Sequence, residues 1–260
     1  MRAPAILVAL LPLVASAAAA ATPDYAREAR WASEVAPQVV VGDVVWIELR
    51  DRPHVLALYA EPAGAAKAAV IVVHGLGVHP DWNLNGDLRT RLADRGYATL
   101  GVQMPVLAAD AARDAYRDVF GDAGDRLAAA IAWLRARGHA RVAIVSHSMG
   151  ASMTDAYLAR GDADAIVAWV PIGMPIGFSR TPREPVLDVV AAHDFPETRA
   201  SAKLRAAQLP KDGCSAARTI AATDHYMSGA AAPLAEAVAA FLDRVVAGRC
   251  GASARKRASG

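Results

Sequence analysis

Ala68-Ala69-Val70-Ile71-Val72-Val73 is an unbroken apolar run, and a strand that is apolar at every position is stable only where both of its faces are covered. That is the situation of a parallel strand sandwiched between helices. The segment is one of a series. Predicted strands near 55–60, 68–73, 97–102, 141–145, 165–170, 185–192 and 218–222 alternate with predicted helices near 85–95, 110–137, 149–160, 197–208 and 232–246. Such alternation predicts an α/β architecture, a doubly wound and mostly parallel sheet flanked by helices. The alanine-rich tracts are good helix formers. With neither a repeat nor a linker in the 260 residues, one principal domain is expected over residues 51–250.

Four of the predicted strands end in chemically suggestive residues. Arg141-Val142-Ala143-Ile144-Val145 runs into Ser146-His147-Ser148-Met149-Gly150 and then into a helical stretch, so Ser148 sits at a sharp strand-to-helix turn. A tight turn of this kind lifts a hydroxyl clear of its own backbone, and it aims the following amide, Met149, and a helix N-terminus at any developing oxyanion. Serine 146 stands where the usual G-x-S-x-G pattern has its first glycine. The 68–73 strand ends in His74-Gly75-Leu76-Gly77, a glycine-rich loop. The 185–192 strand delivers His193-Asp194-Phe195-Pro196, and the 218–222 strand leads into Thr223-Asp224-His225-Tyr226.

On these motifs, with His79-Pro80-Asp81-Trp82 and Gly101-Val102-Gln103-Met104-Pro105, the chain resembles the α/β-hydrolases from roughly Val55 to Val246. Within them it is similar to an uncharacterised family of exported bacterial α/β-hydrolase proteins. The resemblance implies the α/β-hydrolase fold and the chain order nucleophile, acid, base: Ser148, Asp194, His225. It also implies that the Leu76 amide is the second oxyanion donor, opposite Met149. The expected chemistry is cleavage of a carboxylic ester or related acyl bond through an acyl-enzyme, with a small-molecule acyl substrate and no cofactor. A thioesterase, an acyltransferase, or a non-catalytic binding or scaffold protein are the alternatives, because fold alone does not entail chemistry.

Other residues compete for these roles less well. His193 adjoins Asp194 and points to the opposite side of an extended segment, Asp188 lies inside a strand, and Asp224 abuts the candidate base. His147 and His74 read as packed or hydrogen-bonded structural residues, and His54 and His139 as solvated loop residues. No metal is expected, since no H-E-x-x-H or C-x-x-C spacing occurs. Only about fourteen residues separate the strands ending near Val170 and starting near Pro185, which leaves little or no room for a cap. Trp82, Met104, Met174 and Phe178 are candidates to line an apolar substrate pocket.

The ends of the chain carry different signals. Residues 1–21 read as a secretory signal peptide: Arg2, an apolar stretch from Ala5 to Val14, and small-residue triplets at Ala15-Ser16-Ala17 and Ala19-Ala20-Ala21. A retained membrane anchor is the rival, because the uncharged segment approaches the ~20 residues that span a bilayer. Pro12, the alanine content and the triplets favour cleavage, which leaves an exported, periplasmic or secreted chain with no stable membrane span. Residues 22–50 form a lead-in with an N-terminal helix before the sheet, and 251–260 a flexible basic tail. A formal net charge of +2 provides no electrostatic footprint for nucleic acid; nothing in the sequence specifies the oligomeric state. In an exported protein the two cysteines, Cys214 and Cys250, are expected to form one disulfide.

Overall fold

A computed structural model describes residues 20–50 and 52–251; the expected signal peptide, up to residue 19, and the tail from 252 lie outside the described residues. Among the described residues eight strands form one sheet: β1 (Asp43–Leu49), β2 (Arg52–Ala60), β3 (Ala69–Val73), β4 (Ala98–Val102), β5 (Val142–His147), β6 (Ala168–Ile172), β7 (Leu187–His193) and β8 (Ala216–Asp224). Their spatial order is β1-β2-β4-β3-β5-β6-β7-β8. The first two pairings, β1 with β2 and β2 with β4, are antiparallel. From β4 to β8 every neighbour is parallel.

The helices are α1 (Tyr25–Val35), α2 (Leu84–Ala93), α3 (Phe120–Ala136), α4 (Met149–Leu158), α5 (Pro196–Gln208) and α6 (Ala231–Val246). The apolar run of residues 68–73 is split between two cores. Ile71 and Val73 pack with Leu127 and Ile131 of α3 and Met153 of α4. Val70 and Val72 face the other way, against Leu88 and Leu92 of α2 and Val238 and Leu242 of α6. Alternate side chains of β3 thus enter different layers, which is why no polar residue is tolerated along it.

Two boundaries differ from expectation. The lead-in over 22–50 contains the expected helix, α1, but it also supplies β1, so the sheet begins at Asp43. Only Ile47 of that strand is buried, and an edge strand half open to water does not carry an unbroken apolar signature. The helix expected over 110–137 begins instead with 3-10 turns at Arg113–Val119 before α3. Tyr116 and Val119, its buried residues, are three apart, the spacing that stacks side chains on one face of a 3-10 helix.

Two buried ion pairs fasten the periphery. Glu28 of α1 accepts from the Arg126 guanidinium at 2.9 Å and from the Val106 amide at 3.1 Å, which docks the N-terminal helix. Arg205 of α5 pairs with Asp188 of β7 at 3.0 Å and donates to the carbonyls of Met174 and Ile176, each at 2.7 Å. The short β6–β7 connection is thereby held down, and it contains no helix.

Strand order reverses around β3, with β4 on one side and β5 on the other. Ligand clefts of open α/β sheets form beyond the carboxyl ends of strands at such a reversal. The loops leaving β3 and β5 are the His74-Gly75-Leu76-Gly77 loop and the Ser148 turn.

Candidate active site

Ser148 occupies the cap position of α4 with φ 54° and ψ −120°. This positive φ is costly for a residue with a side chain, and it persists because the surroundings enforce it. The Ser148 amide donates to the Ile172 carbonyl of β6 at 2.8 Å. Gly150 permits the turn to close: a Cβ there would lie 2.2 Å from the His74 carbonyl oxygen, so α4 could not approach the β3 loop. Ser146, in place of the pattern's first glycine, accepts a hydrogen bond from the buried Trp169 indole N–H at 2.9 Å. Its extra side chain is accommodated as the partner of a core tryptophan.

The three residues expected from three different strands come together. His225 Nε2 lies 2.8 Å from Ser148 Oγ, and His225 Nδ1 lies 2.6 Å from Asp194 Oδ1. All three are buried. The Phe195 amide also donates to Asp194 Oδ1, at 2.8 Å. Burial by itself would raise the Asp194 carboxyl, but the hydrogen bond and charge of His225 together with the backbone donors bring it below the ordinary carboxylate value. A carboxylate is thus maintained beside Nδ1. With the proton on Nδ1, the Nε2 lone pair faces the serine hydroxyl.

Gly173 is part of this arrangement and carried no signal in the sequence. Its φ is +58°, and a Cβ on it would stand 3.1 Å from His225 Cε1 and 3.3 Å from Asp194 Oδ2. Any larger residue at the end of β6 would press on the imidazole and its carboxylate.

The competing residues have other partners. His147 Nε2 bonds the His225 carbonyl at 2.9 Å, and burial lowers this imidazole to about 4, so it is a neutral donor. His74 accepts from the Met104 amide at Nε2, 2.8 Å away, and its Nδ1 bonds the Gly75 carbonyl at 2.9 Å. Burial lowers it to about 3. Asp224 binds the amides of Tyr226 and Ser228 and the Ser228 hydroxyl, closing the turn that carries His225. His193 is exposed at the end of β7, and Asp188 is committed to Arg205. His54 is exposed on β2 rather than in a loop, and His139 bonds the Tyr59 hydroxyl at 2.8 Å.

The hydroxyl of Ser148 opens onto a cleft of about 500 Å³. Leu76 and Trp82 line it, as do Phe195, Tyr226 and Arg113, residues that sequence reasoning missed. Phe195 and Tyr226 directly follow Asp194 and His225 in the chain, a proximity that was available as a signal; Arg113 had none. Met104, Met174 and Phe178 are corrections. All three are buried in the core on the α3–α4 side of the sheet, where Phe178 packs on Trp169 with ring centroids 5.3 Å apart. The short β6–β7 connection, bonded to Arg205, contributes no residue to the lining of the cleft.

The His74-Gly75-Leu76-Gly77 loop lies against the serine turn, with the position of a Gly75 Cβ 3.3 Å from Ser148 Cβ. Among the described residues, neither the Leu76 nor the Met149 amide donates to another protein group. Cys214, just before β8, and Cys250, beyond α6, form a disulfide, with Cα atoms 4.9 Å apart. Among the described residues no group of three or more histidines, cysteines or acids is placed to hold a metal, and no helix is long and apolar enough to cross a membrane.

Solved structures with the same layout are numerous. An α/β serine hydrolase homologue from Coxiella burnetii superposes with a TM-score of 0.64 at 14% identity, over 78% of this chain and 99% of that one. The chain has the α/β-hydrolase fold. An α/β serine hydrolase without lid from Xanthomonas campestris is similar at TM-score 0.64 and 16% identity, over 79% and 95% of the two chains. A dienelactone hydrolase from Anabaena variabilis is similar at TM-score 0.60 and 20% identity, over 77% and 96%. No family model and no curated protein matches the chain. In the hydrolase fold as built here, the β6–β7 connection that can carry a cap is a bare loop.

Proposed function

We propose that this protein is a serine hydrolase that cleaves carboxylic esters, with Ser148 as nucleophile, His225 as general base and acid, and Asp194 as the group that orients and charges the imidazole. The observation that carries the reading is the buried pair of contacts at 2.8 and 2.6 Å through His225, beside a cleft that has no cap among the described residues. His225 Nε2 takes the hydroxyl proton as Ser148 Oγ bonds to the ester carbonyl carbon. The oxygen of that carbonyl becomes an oxyanion, held by the Leu76 and Met149 amides. The tetrahedral species collapses as the bond to the alcohol oxygen breaks, and the proton on Nε2 passes to the departing alkoxide. Water then repeats the sequence on the acyl-enzyme, giving up a proton to His225, releasing the carboxylic acid and restoring Ser148.

The reading extends to location. Residues 1–21 would direct export, and the disulfide belongs to an oxidising compartment. A panel of p-nitrophenyl esters of increasing acyl length tests the activity. The wild-type protein is expected to turn over short or medium esters, and Ser148→Ala and His225→Ala to lose that turnover while His193→Ala keeps it. A folded Ser148→Ala protein that retained most of the activity would overturn the assignment.

A further inference from the structure

Arg113 carries a permanent charge, and among the described residues lining the cleft it is the only one that does. Its position is informative because the rest of the wall is neutral and largely apolar, with Leu76, Trp82, Phe195 and Tyr226 beside the serine hydroxyl. The Phe195 ring lies with its centroid 4.5 Å from that of His225, and Trp82 packs edge-on to Tyr226 at 5.9 Å. An apolar or aromatic substrate body fits such a wall; a guanidinium on it needs a different explanation.

Two arginines that serve the fold are held by close contacts inside the protein. Arg126 and Arg205 are wholly buried, each joined to a carboxylate and to backbone carbonyls. Arg113 is unlike them. Its side chain is 44% exposed, and it meets the Glu197 carboxylate of α5 at 3.7 Å, with Glu197 itself 55% exposed. A pair so long and so wet contributes little to stability. Among the described residues, no hydrogen bond from the Arg113 guanidinium accompanies it. The donor fork, whose geometry matches a carboxylate in two parallel bonds, is therefore unspent and faces the cleft.

Resting on the hydrolase reading above, we infer that the substrate is an ester bearing a carboxylate, and that Arg113 binds this group while the aromatic wall takes the apolar part. Arg113 is in this role a specificity determinant that acts on substrate binding. Glu197, at 3.7 Å and exposed, competes only weakly for the guanidinium with a better-placed anion.

The test compares esters matched in size but not in charge: p-nitrophenyl hemisuccinate against p-nitrophenyl butyrate for an anion on the acyl side, and p-carboxyphenyl acetate against phenyl acetate for one on the alcohol side. For at least one pair, Arg113→Gln is expected to lower the ratio of kcat/KM, anionic over neutral, about tenfold, mainly through KM, and Arg113→Lys to retain part of the preference. Ratios that move less than twofold in both pairs would overturn the inference. Binding of phenylacetate and of phenylacetamide to the Ser148→Ala protein, followed by tryptophan fluorescence, separates this inference from the hydrolase reading. Phenylacetate affinity should fall about tenfold on adding Arg113→Gln, with phenylacetamide affinity changing much less. If the wild-type protein cleaves no ester, the hydrolase reading fails, and phenylacetate binding alone decides the anion site: dependence on Arg113 supports it, and independence refutes it.

Discussion

The serine and the histidine that face each other across 2.8 Å stand on very different foundations. Ser148 follows β5, a strand with parallel neighbours on both sides and every residue buried. Its backbone strain is contained by Gly150, by the Ile172 carbonyl and by the packed layers above and below. His225 follows β8, the edge of the sheet, most of whose residues are exposed. Its seat is assembled from separate devices: the Asp224 turn, the His147 bond to its carbonyl, Gly173 against its ring, and the disulfide that ties the start of β8 to the end of α6. A central strand confers precision by packing. An edge strand must obtain it from hydrogen bonds and a covalent tie.

The contrast is broken most completely by removing the two groups proposed to react. Ser148→Ala and His225→Ala are each expected to reduce ester turnover by on the order of 10⁶-fold, since groups acting as a unit fail together. Asp194→Asn should cost about 10⁴-fold by analogy with other buried triad acids, with each variant checked for an intact fold by circular dichroism.

Opening the disulfide is expected to be the next largest effect. Closing a loop with a sequence separation of 36 restricts the unfolded chain by roughly 4 kcal/mol in the chain-entropy treatment. Cys214→Ala with Cys250→Ala should lower Tm and speed amide exchange in β8 and α6, while β5 and α4 keep their protection. Equal loosening at both seats would erase the distinction between them.

Acid should act on both foundations. His74 and His147 are held at about 3 and about 4 by burial, below the ordinary value near 6.5 of an unfolded histidine. The unfolded chain therefore takes up protons first as pH drops, so the stability these neutral imidazoles provide is complete above pH ~6.5 and declines below it. By pH 5 the loss is about 2 kcal/mol per histidine. Urea midpoints measured between pH 7 and pH 5 should fall accordingly, and a flat profile would contradict the buried, neutral state of both.

The smallest effect is the most local. Ser146→Ala strands the Trp169 N–H in the core, for an expected loss of about 1–3 kcal/mol read by chemical denaturation. Ester turnover at a temperature where the variant remains folded should be little changed, because the Ser148 turn does not depend on that hydroxyl.

These two seats also explain which parts of the structure were readable in the sequence. Strands β3 and β5 announce themselves because burial on both faces demands an unbroken apolar run, and the residues at their ends inherit that clarity. Asp194 and His225 are found by chain order rather than by local pattern. β1 was missed although Val44-Val45-Trp46-Ile47 is β-prone, since Asp43 and Glu48 frame it and only Ile47 is buried. Met104, Met174 and Phe178 were misplaced for the converse reason: an apolar residue in a connection gives no sign of whether it turns toward a cleft or a core. Gly173 and Arg113 depend on long-range proximity, which no spacing along the chain records.

Ser148 is proposed to be a nucleophile made reactive by His225. Intact-mass spectrometry after brief exposure to a fluorophosphonate, followed by peptide mapping, tests it most directly. One adduct per chain is expected, on Ser148, absent from Ser148→Ala and strongly slowed in His225→Ala. Absence of an adduct on folded wild-type protein, or an adduct that persists in Ser148→Ala, would contradict it.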